Sequence, residues 1–151
     1  ANVPPPVALD LEVKDKDALD LMIRKLKTST GLRERTILSS FSQDVIEQAS
    51  HEIPDVRRLI LLRAWPVRYR FFIEWVKTHG LYGIGCLSRS WTRPRVERIH
   101  AVGLKAAAWE KFGARSTRGR VHRLHSVGVD LVIANQPAVY QMIKSEEQRV
   151  R

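Results

Sequence analysis

The chain has 151 residues, 44% of them hydrophobic, and 26 Lys+Arg against 16 Asp+Glu give it a formal net charge of +10. Such a length supports one ordinary domain with a real core, the composition excludes a disordered polymer, and no apolar run is long enough to cross a bilayer. A single cysteine, Cys86, excludes an internal disulfide and favours a reducing, intracellular compartment.

The opening "ANVPPP", residues 1–6, reads as an extended lead. It lacks a basic segment followed by an apolar one, so no signal peptide is expected. "VALDLEV" is a strand. "DKDALDLMIRKLKTS" places Leu19, Met22, Ile23 and Leu26 at helical spacing, with Gly31 as its stop. "TILSSF" is a short apolar strand, and "SQDVIEQASHE" a helix with Ser42 at its N-cap. Pro54 precedes the strand "RRLILL", and "RYRFFIEWVKTH" is a helix ended by Gly80. "LYGIGCL" is a strand, and "TRPRVERIHAV" a helix capped by Thr92 and stopped by Gly103. "LKAAAW" is a strand, "STRGRVHRLHSV" a helix ended by Gly128, "DLVIA" a strand, and "QPAVYQMIKSEEQ" a closing helix with Pro137 in its first turn.

Six strand-then-helix units in a row predict a parallel sheet with right-handed crossovers. Parallel strands are normally buried on both faces, which makes the first one unusual. Asp10, Glu12 and Lys14 share one face of it, while Val7, Leu9, Leu11 and Val13 share the other. A charged column is cheap against water and costly inside a core unless its members find one another, a metal or a ligand.

Four stretches in order, "LDLEVK", "ILSSFSQDVIEQASHEIPDVRRLILL", "GLKAAAWEKF" and "GVDLVIANQP", resemble the glycerophosphodiester phosphodiesterase family from Val7 to about Tyr140. The resemblance implies an incomplete (β/α)8 TIM-barrel, α/β in class, over residues 7–151. It also implies hydrolysis of phosphodiesters with magnesium or calcium. Glu12 stands where the family's Glu-x-Lys motif supplies a metal-binding carboxylate, and Lys14 where it supplies a cation for the phosphate or its metal site. Ser40 and Phe41 match a Ser-Phe at the end of the following strand. Trp109 matches an aromatic at the barrel mouth beside the substrate, and the resemblance makes Trp109 and Ser40 the expected substrate contacts. Carboxylate oxygens suit hard cations, and barrel chemistry comes from the C-terminal ends of strands.

The same resemblance exposes what this chain lacks. The family's His-Arg-Gly, its Glu-x-Asp and its second catalytic histidine have no counterpart between Ala1 and Arg151. His51, His79, His100, His122 and His125 all fall on helices or helix ends, outside a barrel. "WEKF" stands where the family has Trp-Thr-x-Asn, and Ala134-Asn135 where it usually has Thr-Asp. The chain alone is therefore expected not to hydrolyse phosphodiesters, and to use a divalent metal only if the missing part of the site is supplied. One reading makes it a catalytically inactive structural subunit of a larger ribonucleoprotein or mitochondrial assembly. The alternative makes it the C-terminal piece of an active metal-dependent enzyme. Six strands cannot close as eight do, so other subunits or a missing N-terminal half are expected to cover the sheet edges.

The positive charge is regional. Acid and base are balanced up to Glu52, and residues 57–123 carry most of the arginines. Guanidinium groups suit phosphate oxygens, so Arg93, Arg98, Arg115, Arg118 and Arg123 are candidate polyanion contacts, with an RNA phosphate backbone as one partner. A solvated basic face explains the same charge equally well. Cys86, inside a strand, reads as a buried thiol.

Overall fold

The structure, a computed structural model, describes residues 8–111 and 118–133. Strands and helices alternate: β1 (Leu9–Glu12), α1 (Lys16–Lys27), α2 (Thr30–Arg35), β2 (Thr36–Ser40), α3 (Gln43–Glu52), β3 (Arg57–Leu62) and α4 (Tyr69–Thr78) come first. They are followed by β4 (Gly83–Leu87), α5 (Arg93–His100), β5 (Lys105–Trp109), α6 (Arg118–Ser126) and β6 (Leu131–Ile133). The six strands lie in the sheet in sequence order. Register is parallel where β1 meets β2, with Glu12 opposite Ser39, and where β2 meets β3, with Ser39 opposite Leu59. It is also parallel between β5 and β6, with Trp109 opposite Ile133. Strand order and alternation are those of an incomplete (β/α)8 barrel, as expected from the sequence. The lead at 1–6, Ala134, Asn135 and the helix proposed over 136–148 lie outside the described residues.

Contacts divide the chain into two compact units, one of residues 1–62 and 66–84, the other of 63–65 and 85–151. In the first, α1 buries Leu19, Ile23 and Leu26, the i, i+4, i+7 stripe that its sequence spells out. α3 buries Val45, Ile46 and Ala49, and every residue of β2 is buried. Asp15 caps α1 by accepting the Ala18 N–H at 2.8 Å. Ser42 caps α3 by accepting the Val45 N–H at 3.4 Å. Gly31 does not close α1 as expected. Thr28 does, its hydroxyl donating to the Arg24 and Lys25 carbonyls of the last turn, and Gly31 instead falls inside α2. Gly80, Gly103 and Gly128 are the stops the sequence indicated, at φ of 58°, 77° and 88°, a region where a Cβ is penalised.

In the second unit α5 buries Val96 and Ile99, and α6 buries Val121 and Leu124. Ala106, Ala107 and Ala108 of β5 are fully buried. A single 3-10 turn at Ser88–Ser90, which the sequence pattern did not reveal, follows β4. It leads to Trp91, fully buried, whose Nε1 donates to the Ala107 carbonyl at 2.9 Å. Thr92 stands at the N-cap of α5 without a side-chain capping bond, while Pro94 fixes the first turn.

Arg58 is the most unusual residue of the first unit, a guanidinium only 3% exposed at the start of β3. Its Nη1 donates to the carbonyls of Ile53, Pro54 and Val56 at 2.9, 2.9 and 2.6 Å. Its Nη2 donates to those of His79 and Gly80 at 3.4 and 3.1 Å. These carbonyls cluster at the C-terminal ends of α3 and α4, where backbone acceptors lack helical partners and a cation is favoured. Burial pulls the arginine's pKa down and nearby Asp55 opposes the pull; a guanidinium stays charged regardless. Arg58→Ala should cost about 3 kcal/mol in urea unfolding, because buried acceptors lose their donor. Arg58→Lys should recover only part of that, since an ammonium cannot reach two clusters as a fork does. A loss under about 1 kcal/mol for the alanine variant would show that water replaces the guanidinium.

Candidate functional site

The charged column of β1 faces solvent. Asp10 and Glu12 are exposed and Leu9 and Leu11 half-buried, while Lys14 is exposed beyond the strand and Val13 is buried. Glu12 is the last residue of β1, at the C-terminal end of its strand. The parallel ladder continues one step further through the Val13 N–H, which donates to the Ser39 carbonyl at 2.8 Å. Register places Asp10, Glu12 and Ser39 on one face of the sheet. The Ser39 hydroxyl is buried and makes no hydrogen bond of ordinary length. It is nevertheless close enough to Asp10 to act on its charge. Although one side of Asp10 is open to water, the protein packed around the carboxyl pushes its pKa up, Glu12 adding to the push and the Ser39 hydroxyl opposing it.

Ser40 is fully buried and occupied with backbone. Its hydroxyl donates to the Val13 carbonyl at 2.7 Å and accepts the Ser42 N–H at 3.1 Å, which ties the end of β1 to the start of α3. Trp109 is half-buried at the last position of β5, and the following Glu110 is covered and paired with Arg120 at 3.2 Å. Cys86 is fully buried, and burial pushes its thiol up against smaller opposing effects from Ser90, Leu87 and Arg95.

Of the arginines singled out from the sequence, the side chains of Arg93, Arg98 and Arg123 are among the described residues. Arg93 donates to the Ser126 carbonyl at 2.7 Å. Arg98 lies in the last turn of α5. Arg123 is half-buried and donates to the Ser88 and Trp91 carbonyls at 2.5 and 3.0 Å, which clamps α6 onto the 3-10 turn. Arg115 and the side chain of Arg118 lie outside the described residues. Among the five histidines, His51, His100, His122 and His125 sit within helices and His79 at a helix end, as the sequence indicated.

One charged cluster escaped the sequence reading. Asp130, just before β6, takes Lys105 Nζ at 2.9 Å, His100 Nε2 at 2.7 Å and the Ala106 N–H at 2.8 Å. Burial pushes its carboxyl up, but the bonds from Lys105, Ala106 and His100 outweigh that and hold it below the ordinary range. Both strands begin here, the end of a (β/α) sheet that serves stability rather than chemistry. The signal was available, since Lys105 and Asp130 open neighbouring strands.

For a divalent cation, the described residues do not make a complete site. No three His, Cys, Asp or Glu side chains converge among them, and Asp10 and Glu12 alone supply far fewer oxygens than magnesium or calcium takes.

The solved structures most similar to this one include a glycerophosphodiester phosphodiesterase from Parabacteroides distasonis, at 17% identity and a TM-score of 0.74, matched over 95% of this chain and 60% of that one. Another is a phosphodiesterase from Oleispira antarctica in complex with the product sn-glycerol-3-phosphate, at 20% identity and a TM-score of 0.75, over 91% and 55%. The chain has the fold of part of a glycerophosphodiester phosphodiesterase barrel. It spans between half and two thirds of those chains' length. No protein-family model matches it, and no curated protein does.

Asp10 gives a pH test of the β1 column. Its folded pKa lies above the ordinary 3.8, so ionising it costs stability. Stability should fall as pH rises from 3.8 through the raised value and stay lower at neutral pH. Asp10→Asn should thus be more stable than the parent at pH 7 in thermal unfolding, with the gain gone below pH 3.8. Equal stability at both pH values would show that the crowding around Asp10 is relieved by solvent.

Proposed function

We propose that this chain is part of a metal-dependent glycerophosphodiester phosphodiesterase barrel. It contributes Glu12 and Lys14 to a site whose acid/base histidines and remaining carboxylates lie outside residues 1–151. The observation that carries this reading is the position of Glu12 at the C-terminal end of β1, exposed, on a strand that ends the sheet with β2 as its strand partner among the described residues. A carboxylate and a lysine in that place are useful to a cation and a phosphate. A preceding strand would supply the second side of the column. The chain by itself would then be catalytically silent, since one or two carboxylates cannot hold a hard cation in a working geometry.

The net charge of +10 favours a second reading. In it the fold is retained as a structural subunit, within a ribonucleoprotein or mitochondrial assembly, and the basic surface holds RNA backbone or acidic protein.

Hydrolysis of glycerophosphocholine separates the two. The purified chain should give no turnover with magnesium or calcium. Mixed with a polypeptide carrying the family's His-Arg-Gly and Glu-x-Asp strands, it should give metal-dependent turnover. Glu12→Gln should then reduce that turnover by at least ~100-fold, the upper end of what a supporting metal-site group costs. Turnover by the chain alone would contradict the proposal. Failure of the mixture, together with salt-sensitive retention on RNA, would favour the structural subunit.

A further inference from the structure

The second unit holds a cavity of about 610 Å3 that the chemistry above does not use, lined by Arg89, Lys111, Arg120 and Arg123 with Ser88 and Gly119 between them. The four cations arrive from separate places: the 3-10 turn after β4, the segment after β5, and the first two turns of α6. Among the described lining residues there is no carboxylate. A hollow lined by several cations favours the entry of an anion.

Two of the four are held in place from outside the cavity. Arg123 is anchored on the Ser88 and Trp91 carbonyls, at 2.5 and 3.0 Å. Arg120 is anchored on Glu110 at 3.2 Å, a carboxylate whose side chain is fully covered. Anchoring of this kind fixes a guanidinium before a ligand arrives and lowers the ordering cost of binding. Gly119 adds an independent feature. It lies in the first turn of the nine-residue α6, where backbone N–H groups carry partial positive charge, and it presents no side chain to the cavity. A Cβ placed there would meet nothing within 4 Å.

We propose that this cavity binds a small organic phosphate of mononucleotide size, its phosphate group held by Arg89, Lys111, Arg120 and Arg123. Guanidinium forks match the tetrahedral oxygens of phosphate, and the volume is that of a small-molecule site. Cations gathered around a hollow suit one concentrated charge, whereas an extended nucleic-acid backbone calls for a stripe. The inference is independent of Glu12 and Lys14, which belong to the other unit.

Calorimetric titration of the full chain with AMP, and separately with inorganic phosphate, tests it. AMP should bind with one-to-one stoichiometry and more tightly than inorganic phosphate. Arg89→Gln combined with Lys111→Gln should weaken it about 100-fold, as expected for losing two charged hydrogen-bonding groups. Gly119→Glu fills open space and adds an acidic residue where the helix N-terminus favours one. It should leave the melting temperature unchanged or raised while abolishing binding. The proposal is overturned if AMP does not bind at millimolar concentration, or if both variants bind it as the parent does. It is equally overturned if inorganic phosphate binds as tightly as AMP, or if a single-stranded RNA oligomer binds where AMP does not.

Discussion

A buried arginine whose donors reach five backbone carbonyls sets the terms for the first unit of this fold. In a strand-helix repeat each helix must end within a few residues of the next strand, and its last carbonyls are left without partners. Arg58 gathers the ends of α3 and α4 at the start of β3 and satisfies both. The second unit solves the corresponding problem with the opposite charge, through Asp130 holding Lys105, His100 and the Ala106 N–H where β5 and β6 begin. In the first unit the buried guanidinium sits at the N-terminal end of its strand, whereas the second unit also has a covered ion pair, Glu110 with Arg120, just past the C-terminal end of β5. At the C-terminal end of β1 the first unit carries charged groups that packing does not engage.

Glu12 and Lys14 are such groups in the first unit. Their exposure answers the question raised by a charged column on a strand of a parallel sheet: the column is tolerated because β1 faces water there. Ser40 shows the opposite outcome at a neighbouring strand end, its hydroxyl fully engaged with the Val13 carbonyl and the Ser42 N–H. The fold is similar to that of phosphodiesterase barrels over 55–60% of their length.

The alternation of strands and helices was legible because period-2 and period-3.6 patterns are punctuated by glycines that must adopt positive φ, Gly80, Gly103 and Gly128. Gly31 misled because a threonine hydroxyl at position 28 ended the helix first, a local side-chain bond that hydrophobic periodicity does not register. The 3-10 turn at Ser88–Ser90 is too short to leave a periodic trace. The arginines were visible as a regional excess, but composition cannot distinguish a guanidinium spent on carbonyls, such as Arg58, from one lining a cavity, such as Arg89. That distinction depends on which helix ends meet, and it emerges only from tertiary packing.

The proposed metal site is incomplete among the described residues, and the most direct test is a calcium titration of the isolated protein followed at the Glu12 side-chain carboxyl by NMR. The account predicts shifts that do not saturate below millimolar calcium, as for a carboxylate site short of ligands. Micromolar binding that disappears in Glu12→Gln would contradict it, because the chain would then hold a whole cation site on its own.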